Sequence, residues 1–212
     1  MKTVVENLRK NNMEVVLLSR KEDVVPFLKE QLKEGATVAV GGSKSLDEAK
    51  VLPLLRSGAY QFLDRYTEGL TRPEIEEIFK KSFFADVYIA SANAITEQGE
   101  IYNVDGNGNR VAAMLFGPEK VYLVVGKNKI VKNLDEAVKR VRTVAAPLNT
   151  KRLSCATYCE KAGECASKVR DAAHMTAGCG SEGRICCDYT VMAYQRKKDR
   201  VCVILVDEEL GF

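Results

Sequence analysis

The chain has no tryptophan, one histidine (His174) and five prolines in 212 residues. A serine–histidine–aspartate triad or a histidine-rich metal site would have to rest on that one imidazole. No apolar run approaches the roughly 20 residues that cross a bilayer. The longest, such as VYLVV (121–125) and VCVILV (201–206), are far shorter. The N-terminal MKTVVENLRKNNMEVV is charged throughout and lacks the apolar core of a secretory signal. A cytoplasmic location is therefore expected. Neither sign of charge dominates, with 32 Lys and Arg against 29 Asp and Glu, interspersed. That balance gives no electrostatic reason to expect nucleic acid or a membrane as partner. No cysteine precedes Cys155, yet six of the seven fall within residues 155–187. Without signs of export, such a cluster suggests metal, redox chemistry or packed thiols rather than a disulfide framework.

What is present is a core. Hydrophobic residues make up 46% of the chain, enough to bury a full interior, and the length suits one domain over 1–212. A cysteine-rich excursion is expected at about 151–188. Apolar runs at Glu14–Leu18, Thr37–Val40, Tyr60–Leu63, Asp86–Ser91, Glu100–Val104 and Lys120–Val125 read as strands. Helical spacing covers 1–12, Asp23–Lys33, Ser45–Arg56, Thr71–Phe83, Arg110–Leu115 and Asn133–Ala146. Ser45 with Glu48, Thr71 with Glu74 and Asn133 with Glu136 have the capping-box spacing. Alternating strands and helices, with strands apolar on both faces, predict an α/β fold: three layers, α/β/α, around a mainly parallel sheet. Tyr189–Gln195 and Val201–Val206 predict a C-terminal β-hairpin around Lys197–Arg200. The basic groups at 139–142 and 196–200 read as solvated faces.

Ligands of open α/β sheets bind beyond the carboxyl ends of strands. Two loops qualify. Gly41, Gly42, Ser43, Lys44 and Ser45 follow a strand and open a helix, which suits a phosphate or carboxylate. The second loop is SANAITEQGEIYNVDGNGNR (91–110), with five amide side chains. Asn93, Thr96, Gly99, Asn103, Asp105, Gly106 and Arg110 are its candidate ligand contacts. Asp105 is the candidate acid or base, and Arg110 can grip an anion bidentately. The competing reading is an Asn/Gly hairpin followed by a helix cap. Among the cysteines, Cys159, Cys165, Cys179 and Cys186 are the candidate metal ligands. Four thiolates suit an iron–sulfur cluster or zinc, although no Cys-x2-Cys pair occurs. Packed free thiols are the alternative, and Cys202, inside an apolar strand, reads as core.

The run Ala92-Asn-Ala-Ile-Thr-x-x-Gly-x-Ile-x-Asn103 resembles proteins of the NagB/RpiA/CoA-transferase-like fold. In the sugar-phosphate isomerases of that fold, Asn93 would stand at a catalytic Asp and Val104 at a Lys, while Asn103 matches. Loss of that carboxylate argues against isomerase activity. A CoA-handling enzyme would need a nucleophilic carboxylate, for which Glu97 and Glu100 are near but outside any motif. Ala85–Thr96, the Asn103–Arg110 loop, Gly117–Val121 and Val203–Phe212 together resemble the lactate-utilisation (LUD) domain family, most closely its stand-alone, cysteine-bearing members. That resemblance implies the α/β fold and a link to oxidation of lactate or related organic acids, to which the two loops add the expectation of a small anionic organic ligand. It implies no catalytic residue. Gly163 and Arg184-Ile185-Cys186 also resemble the family's cysteine segment, with Ala166–Gly178 as an insertion. A metal or iron–sulfur redox subunit is a further reading. A second copy of the chain and a redox partner protein both stay open as partners.

Overall fold

The computed structural model describes residues 1–169 and 174–212. Of the stretch read as an insertion, residues 170–173 lie outside the described residues. The strands form two sheets. The larger contains β1 (Glu14–Leu18), β2 (Thr37–Val40), β3 (Gln61–Leu63), β4 (Val87–Ala90), β7 (Lys120–Gly126) and β10 (Val201–Val206) in the order β1-β10-β7-β4-β2-β3. Every pairing in it is parallel. The smaller contains β5 (Ala94–Thr96), β6 (Ile101–Asp105), β8 (Ile130–Val131) and β9 (Asp188–Met192) in the order β8-β5-β6-β9.

The pleat sorts each large-sheet strand onto two faces. Val38, Val40, Ile89, Tyr122, Val124, Cys202, Ile204 and Val206 enter one core, with Val24, Leu28, Leu46 and Leu55. Those partners come from α2 (Val24–Gln31), α3 (Lys44–Glu48) and α4 (Val51–Leu55). Ala39, Tyr88, Ala90, Leu123, Val125, Val203 and Leu205 enter the other. There, with Val121 of β7, they meet Val4, Val5 and Leu8 of α1 (Lys2–Lys10) and Ala113 and Met114 of α6 (Asn109–Leu115). Helices on both faces make the three layers that the alternation predicts. The small sheet has its own core, where Ala94, Tyr102 and Val104 meet Ala137 of α7 (Leu134–Arg140).

The expected C-terminal hairpin is not formed. β9 pairs antiparallel with β6 in the small sheet, whereas β10 inserts between β1 and β7 at the large sheet's interior. The cause is burial. All six residues of β10 are buried, so it needs a neighbour on each edge and cover on each face. β9 is partly exposed and suits an edge.

Two helices also differ from expectation. The 45–56 helix breaks into α3 and α4 at Lys50, which is left-handed with φ 57°. Pro53 has no N–H for the Ala49 carbonyl, so the helix restarts with proline in its first turn. Its first cap is Ser43, whose Oγ accepts from the Leu46 N–H, not Ser45. The capping box at Thr71 and Glu74 on α5 (Arg72–Lys81) and the Asn133 cap of α7 form as expected. After α7 the chain widens into a π turn, Val141–Ala145, before α8 (Ala146–Arg152). Pro147 cannot donate to the Thr143 carbonyl, which favours that widening. Arg140 and Arg200 are not solvated. Arg140 donates to the Asn128 and Asn93 carbonyls, and Arg200 binds carbonyls at the end of α6.

Candidate functional site

The loops after β2, β3, β4 and β7, together with the β6–α6 connection, enclose a cavity of about 200 Å³. It lies where parallel α/β sheets place ligands. Gly42, Ser43 and Lys44 come from the first predicted loop, and Asn93, Asp105, Gly106 and Arg110 from the second. Ser91, Asn107, Asn109, Asn149, Arg65, Arg152 and Lys129 complete the polar lining. The cations outnumber carboxylates by five (Lys44, Arg65, Arg110, Lys129, Arg152) to one (Asp105) among these. Nothing in local sequence marks Arg65, Lys129 or Arg152. The usable signal for Lys129 is its place just beyond the carboxyl end of β7.

Arg110 is the joint of the site rather than an open hand. Its Nε donates to Asp105 Oδ1 at 3.1 Å. Nη1 donates to the Ser91 carbonyl and to Asn103 Oδ1, at 3.1 and 2.8 Å. Nη2 donates to Asn93 Oδ1 and the Val104 carbonyl, at 3.2 and 3.0 Å. The guanidinium is thereby spent within the protein, and Asp105 is tied to it. Asn93 and Asn103 reciprocate at the end of the β5–β6 pairing: the Asn93 N–H donates to Asn103 Oδ1, and the Val104 N–H to Asn93 Oδ1. The two asparagines are clamps. Gly41 lies under this joint, where an added Cβ would fall 2.9 Å from Arg110 Cγ.

Lys129 is the unexpected group. It is 3% exposed. Its Nζ donates to Ser45 Oγ at 2.8 Å and to Ser91 Oγ at 3.1 Å. Among the described residues no carboxylate forms a salt bridge with it. Burial, reinforced by Arg140 and Arg110 and opposed by Glu48, pulls its ammonium from 10.5 down to about 7. Ser45 is fully buried and also donates to the Leu210 carbonyl, so it supports Lys129 from behind the cavity wall. Arg65 stacks over Phe79 at 4.3 Å and Tyr66 at 5.5 Å. Stacking fixes the guanidinium plane while leaving its N–H edge for a ligand.

The opening motif 91–110 divides in two. Thr96 and Gly99 lie apart from the cavity, at the β5–β6 turn against α1. Thr96 Oγ1 donates to Glu100 Oε2, while Asn7 and Asn11 donate to carbonyls of Glu97, Gln98 and Gly99. Gly99 has φ +80°, and a Cβ there would fall 2.7 Å from the Leu8 nitrogen. Its role in this turn is to let two backbones meet.

The four predicted cysteines come together elsewhere. Cys159, Cys165, Cys179 and Cys186 all line a second, mainly apolar cavity. Cys159 and Cys186 flank it from α9 (Tyr158–Ala162) and the segment before β9. Burial, with Cys165 and Cys159 nearby, pushes the Cys186 thiol up to about 12. Burial also opposes ionisation of Cys179, yet hydrogen bonds from Ser181 and Tyr158, with the Arg184 charge, bring that thiol below its ordinary value. Cys202 lies in the core, as expected, and Cys187 is exposed. Ile185 and Cys186 border both cavities.

Fold and cavity together define a three-layer α/β/α protein with a polar chamber at the carboxyl ends of parallel strands. The chain belongs to the LUD domain family, which it matches over residues 1–206. It is thus a lactate-utilisation-related domain protein. Among solved structures, a DUF162 family protein from Deinococcus radiodurans has the same fold, with TM-score 0.52 and 14% identity over 97% of this chain and 94% of that one. No curated protein matches. Among the described residues, no helix is long and apolar enough to cross a membrane.

Proposed function

We propose that this protein binds the anion of a small organic acid of the lactate class, with the carboxylate as counter-ion to Lys129. The observation that supports this reading is an ammonium held 3% exposed between two hydroxyls, with no carboxylate among the described residues paired to it. A buried charge is costly unless it is paired. An incoming carboxylate supplies the missing charge, and Arg65 and Arg152 extend the attraction to a second polar group. Asn109 and Asn107 offer donors and acceptors for a hydroxyl or keto oxygen. Asp105, fixed by Arg110, orients the chamber floor rather than meeting the anion.

The test is calorimetric titration with lactate and pyruvate at pH 6.5. Lys129→Met should weaken binding by about 100-fold, as loss of a buried charge partner costs about 3 kcal/mol. Unchanged affinity in folded Lys129→Met protein would refute this placement of the carboxylate.

A further inference from the structure

Among the described residues no three His, Cys, Asp or Glu side chains are placed to hold a metal ion, the four candidate cysteines included. Charge is concentrated instead in the polar chamber, which holds more of it than one carboxylate neutralises. Of its five cations, Arg110 is paired with Asp105, and Lys129 is the counter-ion of the acid proposed above. Lys44, Arg65 and Arg152 remain. Lys44 reaches Glu48 only at 4.0 Å, on a solvent-facing i,i+4 spacing. Arg152 donates from Nε and Nη2 to one neutral oxygen, Asn149 Oδ1, at 3.1 and 2.8 Å. Arg65 rests on the Phe79 and Tyr66 rings. Among the described residues neither arginine forms a salt bridge.

These groups converge at the outer end of the chamber. A Cβ added to Gly42 would lie 3.6 Å from the Tyr66 hydroxyl oxygen and 3.9 Å from Arg65 Nη1, so the bare glycine leaves a gap beneath two donors. The Tyr66 hydroxyl feels both Arg65 and Arg152: partial burial raises its pKa, and the two charges oppose that rise without cancelling it. It therefore keeps its proton and donates at neutral pH. The neighbouring carboxylates do not answer this charge. Asp64 is held by Arg56 at 2.6 Å, and Asp47, which also acts on Tyr66, stands outside the chamber lining.

Two guanidiniums, an ammonium and a phenol offer more donors and more charge than a second carboxylate takes up. A phosphoryl group carries about −1.5 to −2 charge on three acceptor oxygens, and arginine's planar fork meets it bidentately. Size agrees. The chamber's volume of about 200 Å³ is room for on the order of ten water-sized groups at about 10–15 Å³ each, whereas lactate has only about six non-hydrogen atoms. We infer that Lys44, Arg65, Tyr66 and Arg152 form a phosphoryl subsite, and that the ligand is a phosphate ester of a small hydroxy or keto acid. The carboxylate end of that ligand rests on the function proposed above; the phosphoryl end does not.

The full chain is titrated calorimetrically at pH 6.5, as for lactate, with inorganic phosphate, 2-phospholactate, 3-phosphoglycerate and malate. Inorganic phosphate should bind with a Kd of about 1 mM or tighter. Arg65→Met and Arg152→Gln should each weaken it by about tenfold. Lys198→Met, at an exposed lysine outside the chamber, should leave it unchanged. Lys129→Met should keep phosphate binding while losing lactate binding, so failure of the carboxylate reading and failure of this one give different results. The better of the two phosphorylated acids should bind about 100-fold tighter than inorganic phosphate, because its two ends are linked. Far-UV circular dichroism confirms folding, and Arg152 is exposed on α8, so Arg152→Gln tests the subsite even where Arg65→Met disturbs the stacked rings. Wild-type protein that binds no phosphate, or undiminished binding in folded Arg152→Gln, overturns the proposal. So does loss of phosphate binding in folded Lys129→Met, which would put the phosphate at the inner lysine. Phosphorylated acids that bind no tighter than phosphate, or no tighter than malate, overturn the ligand class.

Discussion

Lys129 makes the stability of this protein depend on pH in a direction opposite to that of a salt-bridged lysine. An unfolded lysine keeps its proton to about 10.4. In the fold, burial lowers that value to about 7. Between the two, the unfolded chain binds the extra proton, so stability rises with pH. Below about pH 7 the fold carries the full cost of a charged, unpaired Lys129. A fall from 10.5 to about 7, at 1.36 kcal/mol per pH unit, makes that cost about 5 kcal/mol. From pH 6 to pH 9 the recoverable part is roughly 3 kcal/mol. Lys129→Met keeps the side-chain length and removes the titration. Urea unfolding of both proteins at the two pH values gives four free energies. The stability of wild type relative to Lys129→Met should rise by roughly 3 kcal/mol from pH 6 to pH 9. Other titrating groups are common to both chains and cancel in this comparison. A difference flat to within about 0.5 kcal/mol, or one that falls, would show that Lys129 is not held in the dry, unpaired setting described.

Arg110→Met should destabilise the fold by about 3–5 kcal/mol in denaturant titration, because Asp105 and two asparagine oxygens lose a buried partner. A loss below about 1 kcal/mol would mean that water replaces the clamp. Gly99→Ala should cost at least about 1–2 kcal/mol from the left-handed backbone alone, with further cost from the Leu8 contact. It should leave lactate affinity unchanged, since the β5–β6 turn lies apart from the chamber; a weakened Kd would contradict that separation.

The strands were the most legible part of the sequence. Glu14–Leu18, Thr37–Val40 and Val201–Val206 form over the expected residues because dense apolar runs between turn signals have few other solutions. Their partners were less legible. The turn at Lys197–Arg200 has hairpin chemistry, and local chemistry cannot show that β10 is claimed by β1 and β7. Its unbroken apolar run carried that information, since a half-exposed hairpin strand would alternate. The site was half legible. Glycines and asparagines at strand ends mark themselves, and Gly42–Lys44 does meet Asn93 and Asp105–Arg110. Lys129 stands in the plain run Lys-Asn-Lys, where only the third dimension makes one lysine unlike its neighbour. Arg110 looked like a ligand hand because an arginine's partners are set by distant carbonyls, which sequence spacing does not display.

The Arg110 joint also bears on how the protein folds. Its acceptors lie on β4's end in the large sheet and on β6 in the small one, while the arginine itself rides on α6. The chamber thus exists only where both sheets and that helix have docked, and an intermediate with either sheet alone has no floor to it. The anion binding proposed above would therefore report complete assembly, and it should be lost in any sub-global opening that parts the sheets.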